Sequence, residues 1–519
     1  MIRERSHRSA KTPHARARWA DLYDWRRVDR SSEAPSVVQQ AYLQIRVAIL
    51  SGGLSPGTKL PSSRDLAVRL DIARASVVAA YEQLFVEGYL TAVVGSGTYV
   101  SSDLPEVIEG ARPREANAGA SRPAGRNIGR FKAPPNDDEV SVALEPAFTD
   151  ERPFNTGRTL MDARSIEHWR RLTHQAARNL GPSDFGYSNP LGLPALRQAV
   201  CDYLQAARAV RCTPEQVVIT AGAQQAVDLA ARVLLRAGDE VWVEDPGYPF
   251  TRFALDILGV ATRPIPVDSQ GLVVSIGTHL APEARAAFVT PSHQYPTCVV
   301  LSMARRLELL DWAREKKAWI VEDDYASEFR YSGRPLASLQ GLDEFERVIY
   351  VGTLNKALFP GLRLGYAVVP PPLIRRFAEV RNLMDRQPPS LNQTVAAEFM
   401  QQGYLAGHIR RMRDQYRVQR DTLVSALGRL AGDWLCVDVP DQGMHLVAHL
   451  RDTVSRSDIA IEQAGLDAGV VARAMSRLYV SAPPRSALML GFSGYSPRAI
   501  SSAAVLLARV LKATGEHAR

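Results

Sequence analysis

The chain has 519 residues, of which 46% are hydrophobic and 23% are charged, and its formal net charge is +8. This length predicts more than one domain, and the composition is that of an ordinary globular protein. No stretch approaches the roughly 20 apolar residues of a membrane-spanning helix, which argues against a membrane partner. The first 135 residues carry 20 Lys and Arg against 13 Asp and Glu, so most of the positive charge lies there. That distribution is typical of a nucleic-acid-binding segment, with a solubilising tail as the alternative.

Residues 1–35 are polar and arginine-rich, and Glu4 interrupts them. They lack the apolar core of a secretion signal, so we predict a basic flexible tail, with an organelle transit peptide as the alternative. The four cysteines show no paired spacing, which argues against a zinc site and against a disulfide framework: Cys201, Cys212, Cys298 and Cys436. We therefore expect no metal and a cytoplasmic protein.

Residues 36–104 predict a compact helical domain with a hairpin. Val38, Tyr42, Ile45 and Ile49 recur at helical spacing, and a Gly/Pro-rich stretch then ends the first helix. A second helix is predicted around 64–70, with Ser62 and Ser63 as candidate N-caps, and a third from near Ala75 to Glu87. The stretch TAVVGSGTYV predicts two short strands around a turn. This order is that of a winged helix-turn-helix, with a small helical bundle as the alternative.

The third helix is the predicted recognition helix. Arg74 and Ser76 lie at its start, where an arginine can contact a guanine edge in the major groove. Arg64 begins the preceding helix and is predicted to hold a phosphate. Gly95 and Gly97 belong to the predicted wing, which would follow the DNA backbone.

Residues 56–100, PGTKLPSSRDLAVRLDIARASVVAAYEQLFVEGYLTAVVGSGTYV, resemble the DNA-binding domain of the GntR family of bacterial transcription regulators. Asp71 stands where that family commonly has a glycine, and Ala73 stands where a hydroxyl residue often caps the recognition helix. The missing cap costs roughly 1 kcal/mol, so the first residue of this helix is not fixed by the sequence.

Residues 105–140 lie in a Pro-, Gly- and Ala-rich stretch that predicts a linker. Residues 141–519 predict an α/β domain, because apolar strand-like runs alternate with helical patterns: QVVIT, EVWVE, AAFVT, AWIVEDD and RVIYVGT. We expect a mostly parallel sheet covered by helices, and a smaller α+β lobe from about Pro388.

Several of these strands end in residues that bear chemistry. The turn AGAQQ opens a helix and offers free N–H groups to a phosphate. Other strand ends carry side chains suited to binding and reaction: Tyr248, Asp323, Tyr325, Thr353, Lys356 and Arg363. Ligands bind at the strand ends of such sheets. Together these residues meet the needs of pyridoxal 5′-phosphate (PLP), which takes a lysine, a carboxylate, an aromatic ring and a phosphate cradle.

From about Phe154 the chain resembles the fold-type I aminotransferases, in the stretches FGYSNPLGLPALRQAV, VEDPGYP, TPSHQYPT, VEDDYASEFRY and GTLNKALFPGLRLGY. The resemblance implies that Lys356 is the Schiff-base lysine and that Asp323 pairs with the pyridine nitrogen. It further implies a hydrogen bond from Tyr325 to the ring hydroxyl and stacking by Tyr248. The implied phosphate ligands are Ala223, Gln224, Thr353 and Arg363. Tyr187 matches a tyrosine that reaches the partner subunit's cofactor, which implies a homodimer.

Three positions depart from the aminotransferase pattern: Cys298 replaces a glycine, Asn355 a serine, and Met489 an arginine that binds the substrate carboxylate. Arg252 and Arg473 are candidates to replace that arginine for an effector carboxylate.

A GntR-type head joined to an aminotransferase-like body resembles the MocR subfamily of regulators over residues 36–515. The resemblance implies a regulator that binds double-stranded operator DNA and responds to PLP or to an amine or amino-acid adduct. Physiological turnover is not expected, although weak transaminase half-reactions can remain. Two alternatives stay open: an active aminotransferase with a DNA-binding head, and a DNA-binding protein with a dimerisation scaffold.

Overall fold

A computed structural model describes residues 25–30, 35–50, 52–93, 96–102, 151–333 and 337–515 of the chain. The chain divides into two compact units, Met1–Asn127 and Ile128–Arg519. Each unit has a hydrophobic core of its own, so each forms a separate folding body.

The N-terminal unit contains three helices followed by a two-stranded antiparallel hairpin. The helices are α1 (Val37–Leu50), α2 (Ser63–Leu70) and α3 (Arg74–Val86), and the strands are β1 (Leu90–Val93) and β2 (Gly97–Val100). Leu90 pairs with Val100 and Val93 with Gly97 in the hairpin. This is the predicted winged helix-turn-helix order.

Helical spacing of apolar residues builds the core of this unit. Four residues of α1 point inward, at the interval that places them on one face: Ala41, Ile45, Ala48 and Ile49. The other helices and the hairpin add further buried residues to the same cluster, among them Leu66, Leu70, Val77, Leu84 and Val100. The hairpin is thus fixed to the helices by burial as well as by its own ladder.

Both helices that flank the turn between α2 and α3 form, although two residues of this segment are unusual for the family that the sequence resembles. Ser62 caps α2 by accepting a hydrogen bond from Asp65 N at 3.2 Å. Asp71 adopts the left-handed conformation, with φ +57°, that a glycine would adopt without cost. Ala73 is the N-cap residue of α3 and makes no side-chain cap bond. The helix nevertheless begins at Arg74, one residue before the predicted start near Ala75.

Residues 25–30 lie along α1, although sequence analysis assigned them to the flexible tail. Gln44 donates to the carbonyl oxygen of Arg26 at 2.8 Å, and Gln40 donates to that of Asp29 at 2.7 Å. Trp25 packs against the core of the N-terminal unit. This part of the predicted tail is therefore bound to the domain that follows it.

The second unit contains a mixed eight-stranded sheet, which sets where the candidate site lies. Its strands are β3 (Val217–Thr220), β4 (Glu240–Asp245), β5 (Ala261–Asp268), β6 (Gly271–Leu272), β7 (Ala286–Val289), β8 (Trp319–Asp324), β9 (Val348–Thr353) and β10 (Gly365–Val368). Their order is β3-β10-β9-β8-β7-β4-β5-β6. The run β9-β8-β7-β4-β5 is parallel, so its strands end at one edge. Strand β10, which sequence analysis did not single out, is antiparallel to both of its neighbours.

Helices accompany this sheet: α4 (Ala163–Arg178), α5 (Pro194–Arg208), α6 (Ala223–Leu234), α7 (Pro249–Ile257), α8 (Val274–Leu280), α9 (Met303–Lys316), α10 (Leu339–Leu342), α11 (Leu354–Ala357), α12 (Ile374–Met384) and α13 (Ser390–Gln401). Every residue of β3, β7 and β9 is buried. Full burial of parallel strands is expected when both faces of a sheet are covered, which confirms the predicted architecture.

The predicted smaller lobe forms around a four-stranded antiparallel sheet. Its elements are α14 (Tyr404–Leu430), β11 (Leu435–Asp438), β12 (His445–Leu450), α15 (Asp458–Asp467), β13 (Arg473–Ala474), β14 (Ala487–Gly491) and α16 (Pro497–Gly515), with strand order β11-β12-β14-β13. Phe154, from the other end of this unit, forms a bridge to Gly491 and is fully buried in the lobe's core. Among the helices of the described residues, none combines the length and the apolar character needed to cross a membrane.

Candidate cofactor site and nucleic-acid interface

Lys356 lies just beyond the carboxyl end of β9. Thr353 ends this strand and caps the short helix α11 by accepting a hydrogen bond from Asn355 N at 3.1 Å. The half-buried Lys356 donates from Nζ to the carbonyl oxygen of Gly157 at 3.1 Å. Burial lowers the pKa of Lys356 to about 8. A larger neutral fraction makes this amine a better nucleophile toward an aldehyde.

Gly157 shapes the surroundings of this amine, and sequence analysis missed it. Its φ is +77°, and a Cβ built on it would lie 2.4 Å from Lys356 Nζ. Only glycine adopts this conformation readily and leaves room for the ammonium group. The two residues are far apart in the sequence, so no local pattern marks their contact.

Asp323 lies near the end of β8, the parallel neighbour of β9, where it pairs in register with Val351. Its Oδ1 is buried, and within the described parts of the chain this oxygen has no hydrogen-bond partner. Burial, followed by the charges of Asp324 and Glu244, raises the pKa of Asp323 to about 7. A cationic N–H placed against Oδ1 would favour the ionised carboxylate.

Asp324, the next residue, anchors the strand end from the other face. Its Oδ2 pairs with Arg208 at 2.7 Å and accepts hydrogen bonds from Tyr350 at 2.6 Å and Ser327 at 2.9 Å. Successive strand side chains point to opposite faces, so fixing Asp324 directs Asp323 away from this network. Sequence analysis did not identify this supporting group, because Arg208 lies on α5, far from β8 in the sequence.

Aromatic residues surround the same strand end. The hydroxyl of Tyr325 is buried, and none of the described residues is a hydrogen-bond partner for it. Tyr295 makes edge contacts with the rings of Tyr248 and Tyr325, at centroid distances of 5.3 and 6.2 Å. Burial raises the pKa of Tyr248, so its phenol stays neutral. The structure thus brings Tyr248 and Tyr325 together through Tyr295, which sequence analysis quoted only as part of a motif.

The N-terminus of α6 forms a candidate phosphate cradle. Gly222 has φ +115° and precedes Ala223, where the first N–H groups of the helix have no intrahelical partner. A Cβ built on Gly222 would lie 2.9 Å from Asn355 Nδ2 and 3.7 Å from both terminal nitrogens of Arg363. The side chain of Gln224 donates to Phe250 O at 3.0 Å, which leaves its backbone N–H for a ligand. A guanidinium, an amide and a helix N-terminus therefore converge.

Asn355 supplies a donor where sequence analysis expected only the loss of a hydroxyl. Its Oδ1 accepts a hydrogen bond from Leu364 N at 3.0 Å, which orients its NH₂ group toward Gly222. Thr353 uses its own hydroxyl in the cap of α11 and lies 3.5 Å from Leu364 O. Thr353 therefore has a structural role at the base of the cradle.

The two candidate effector arginines lie in different places. Arg252 lines a cleft together with Tyr248 and Asp323, where it faces Asp256 at 3.7 Å. Arg473 pairs in register with Met489. The lining of the cleft does not include Arg473, but it does include Arg477, which sequence analysis missed: Val227, Val243, Glu244, Gly247, Tyr248, Pro249, Thr251, Arg252, Phe288, Val289, Thr290, Val321, Asp323, Arg477, Leu478 and Val480.

Met489 lies in an apolar cluster with Val447, Met475 and Ala487. The position where the resembling enzymes carry an arginine is therefore buried among apolar side chains in this protein. The charged side chain beside it in the sheet is that of Arg473, its cross-strand partner.

Tyr187 lies on the surface of the second unit. Its exposed fraction is 80%, and its ring lies under the guanidinium of Arg386 at 4.5 Å from the centroid. Phe185, two residues earlier, is equally exposed. A single chain therefore leaves an aromatic surface at the segment that sequence analysis assigned to a partner's site.

The N-terminal unit presents the predicted DNA-contacting residues as follows. Arg64 is exposed on α2, and Arg74 is exposed at the start of α3, where its Nε donates to Ser63 Oγ at 3.1 Å. Ser76 is half-buried within the first turn of α3. Gly97 begins β2 with φ +125°, and Gly95 lies outside the described residues. The arginines are thus held at adjoining helix starts, as the helix-turn-helix order requires.

Both units of the chain match known protein families. Residues 37–100 match the family described as bacterial regulatory proteins, gntR family, and residues 152–492 match aminotransferase class I and II. The probable rhizopine catabolism regulatory protein MocR of Rhizobium meliloti is 38% identical over 475 residues, covering 91% of this chain and 92% of that protein. The pyridoxine biosynthesis transcriptional regulator PdxR of Corynebacterium glutamicum is 34% identical over 398 residues, covering 77% and 80%.

Among solved structures, a kynurenine aminotransferase of Pyrococcus horikoshii, in complex with PMP, matches with a TM-score of 0.65 at 27% identity, covering 73% of this chain and 95% of that one. Fold, site and comparisons define a helix-turn-helix protein with an aminotransferase-like domain. The chain belongs to the gntR family of bacterial regulatory proteins, among its MocR-type members, and is a DNA-binding transcriptional regulator.

Proposed function

We propose that this regulator holds pyridoxal 5′-phosphate through a Schiff base to Lys356 and responds to the cofactor or to its reaction with an amine or amino acid. The observation that carries the proposal is the buried Oδ1 of Asp323, which has no hydrogen-bond partner among the described residues and lies beside the strand that leads to Lys356. Bound pyridoxal phosphate supplies an aldehyde for the lysine and a ring nitrogen that a carboxylate keeps protonated.

The residues around the strand ends fit the rest of this cofactor. The buried hydroxyl of Tyr325, which lacks a partner among the residues that the structure describes, is available for the ring hydroxyl, and Tyr248 offers an aromatic face for stacking. The N–H groups of Ala223 and Gln224 and the guanidinium of Arg363 would bind the phosphate, with Asn355 as an added donor and Thr353 beneath them. The N–H donors and the guanidinium would thus face the anionic phosphate, which hydrogen-bond donors and positive charge stabilise.

The effector is proposed to be a small amine or amino acid that enters beside Tyr248. Arg252 lines the same cleft, and Arg473 is the cross-strand partner of Met489, so both remain candidate carboxylate partners. Lys356 would be released when the incoming amine takes its place at the cofactor. The exchange would thereby free a charged side chain that had been fixed.

The regulator is proposed to act as a homodimer on double-stranded operator DNA in the cytoplasm. The exposed Tyr187 would reach the cofactor of the partner subunit, as the resemblance to aminotransferases implies. Arg74 and Ser76 would contact base edges, Arg64 a phosphate, and Gly95 and Gly97 the backbone beside the wing. The proposed domains are a basic tail at 1–35, a DNA-binding domain at 36–104, a linker at 105–140 and the cofactor domain at 141–519.

An active aminotransferase with a DNA-binding head is the second candidate function. The lowered pKa of Lys356 and the carboxylate of Asp323 favour it, because turnover needs the same two groups. The apolar surroundings of Met489 disfavour it, because amino-acid transamination needs a cation for the substrate carboxylate. Turnover of amino acids with a keto-acid acceptor distinguishes this enzyme from the regulator.

The deciding experiment measures operator affinity at fixed salt for the cofactor-free chain, the cofactor-loaded chain and Lys356→Ala. Linkage requires reciprocity: if the cofactor changes the affinity for operator DNA by some factor, operator DNA changes the affinity for the cofactor by the same factor. Such factors are typically about 5- to 150-fold. Equal operator affinities, equal footprints and equal transcriptional output for all three proteins would contradict the proposal.

A further inference from the structure

A second cluster of reactive side chains lies next to the proposed cofactor site. One ligand atom from each of His293, Cys298 and His445 lies within 4.8 Å of the other two. Cys298 Sγ is 3.4 Å from His445 Nε2. The His293 ring lies 5.8 Å from that of Tyr325, so the cluster borders the pocket. The spacing of the cysteines predicted no metal site. His445 joins this cluster from β12, which is distant in the sequence, so no local spacing marks the three residues.

His293 has a property that a packing role does not explain. It is 2% exposed, and neither of its ring nitrogens has a hydrogen-bond partner in the described part of the chain. Leaving a buried polar group unpaired costs about 1–3 kcal/mol, so such a group is expected to meet a ligand. Gly443 makes room for this ring, since a Cβ there would lie 2.1 Å from His293 Nε2.

The three donors are those that Zn²⁺ and similar borderline-soft metals prefer. Two imidazole nitrogens and one thiolate sulfur form a common zinc ligand set, and three protein ligands leave a fourth position open. Burial lowers the pKa of both histidines, which keeps them neutral, and it raises the pKa of the Cys298 thiol, whose proton the metal must displace. Ligand atoms on one tetrahedral zinc lie about 3.3–3.6 Å apart, which the Cys298–His445 distance already meets.

We propose that His293, Cys298 and His445 form a zinc-type metal site beside the cofactor pocket. Binding forms one Zn–S bond and two Zn–N bonds, and the Cys298 thiol releases its proton to solvent without any redox change. His445 Nε2 donates to Pro296 O at 3.1 Å, so metal binding at Nε2 breaks this hydrogen bond and leaves the ring protonated at Nδ1. Since the ligand atoms lie within 4.8 Å of one another, the remaining adjustment is a contraction of at most about 1.2–1.5 Å along any edge of the cluster.

The test is a Zn²⁺ titration of the full-length chain against a chromogenic chelator, with Co²⁺ as a spectroscopic substitute. The wild-type chain is expected to bind one Zn²⁺ tightly, and its Co²⁺ form to show a thiolate-to-cobalt charge-transfer band. Cys298→Gly suits the backbone, because Cys298 has φ +64°, a conformation that glycine adopts readily. This variant is expected to lack the charge-transfer band and to bind Zn²⁺ at least 10-fold more weakly. His293→Gln is expected to lower affinity by a similar factor while keeping the band.

Cys436→Ser is the matched control, because Cys436 is a free, exposed thiol in β11 and does not belong to the cluster. It is expected to bind Zn²⁺ like the wild type. A wild-type chain that binds no Zn²⁺, or an unchanged affinity in both Cys298→Gly and His293→Gln, would overturn the proposal. Titrations without added pyridoxal phosphate make the result independent of the proposed cofactor, and circular dichroism verifies that each variant is folded.

Discussion

Asp323 and Asp324 are consecutive residues at the end of β8, yet they have opposite surroundings. Asp324 is bound by Arg208, Tyr350 and Ser327, whereas Oδ1 of Asp323 is buried and has no partner among the described residues. The alternation of side chains along a strand places one carboxylate in a structural network and the other at the proposed pocket. The pair therefore separates a structural carboxylate from the one proposed to bind the cofactor.

Substitution of these two residues is expected to have contrasting effects. Asp323→Ala removes a charge-assisted hydrogen bond to the cofactor and should weaken cofactor binding by about 1.5–3 kcal/mol, with no loss of stability in the cofactor-free chain. Asp324→Ala removes the carboxylate that pairs with the buried Arg208 and should lower the free energy of unfolding by about 3–5 kcal/mol. Cofactor titration and denaturant unfolding measure the two effects. A destabilised Asp323→Ala chain with unchanged cofactor affinity would contradict the assignment.

Lys356 is expected to carry the cofactor covalently. The loaded chain should show a visible absorbance band that borohydride removes, and mass spectrometry should locate the reduced adduct on Lys356. Lys356→Ala should lack the band under the same conditions. Lys512, on the last helix, provides a control, because Lys512→Ala should keep it. A band of equal intensity in Lys356→Ala would show that another amine reacts.

The stability of the cofactor-free chain is expected to depend on pH through Lys356. Its folded-state pKa of about 8 lies below the ordinary value of 10.5, so between these values the unfolded chain binds the extra proton. The free energy of unfolding should therefore rise with pH across that window. Lys356→Met removes this dependence. Its stability advantage over the wild type should reach at most about 3 kcal/mol below pH 8 and shrink toward pH 10.5. A constant difference across the window would show that burial does not shift this pKa.

The two exposed arginines of the helix-turn-helix are expected to affect DNA binding differently. Arg74→Ala should lose about 1–3 kcal/mol of discrimination between operator and random DNA, because it removes a contact to a base edge. Arg64→Ala should weaken binding to both DNAs equally and give a shallower salt dependence, because it removes a phosphate contact. Arg375→Ala is a charge-matched control in the second unit, where this side chain is 92% exposed. Parent-like operator binding by both variants would contradict the placement of the recognition helix.

Tyr187 is expected to matter only in a dimer. Its exposed ring contributes little to the fold of one chain, so Tyr187→Ala should keep the free energy of unfolding within about 0.5 kcal/mol of the wild type. The same variant should bind the cofactor more weakly if the ring completes the partner's site. Sedimentation and cofactor titration of the wild type and the variant measure both properties. Undiminished cofactor affinity in a dimeric variant would exclude the shared site.

The sequence by itself determined the order of elements and indicated the candidate reactive residues. Apolar residues at helical spacing predicted α1, and buried apolar runs predicted β3, β4, β7, β8 and β9. These signals are local, because the period of a helix or a strand is written in neighbouring residues. Parallel strands end at one edge of the sheet, so a list of strand-end residues was enough to group Asp323 with Lys356.

Tertiary structure alone decided which distant residues meet. Gly157 contacts Lys356 across 199 positions, and His445 meets Cys298 across 147. The thiols of Cys201 and Cys212, whose spacing suggested no pairing, lie 3.5 Å apart in the core. Such contacts follow from how helices and strands pack, and no periodicity of the chain records them. The sequence could therefore name the lysine and its carboxylate, while the packing of the lobe against the sheet assembled the histidines and the thiol.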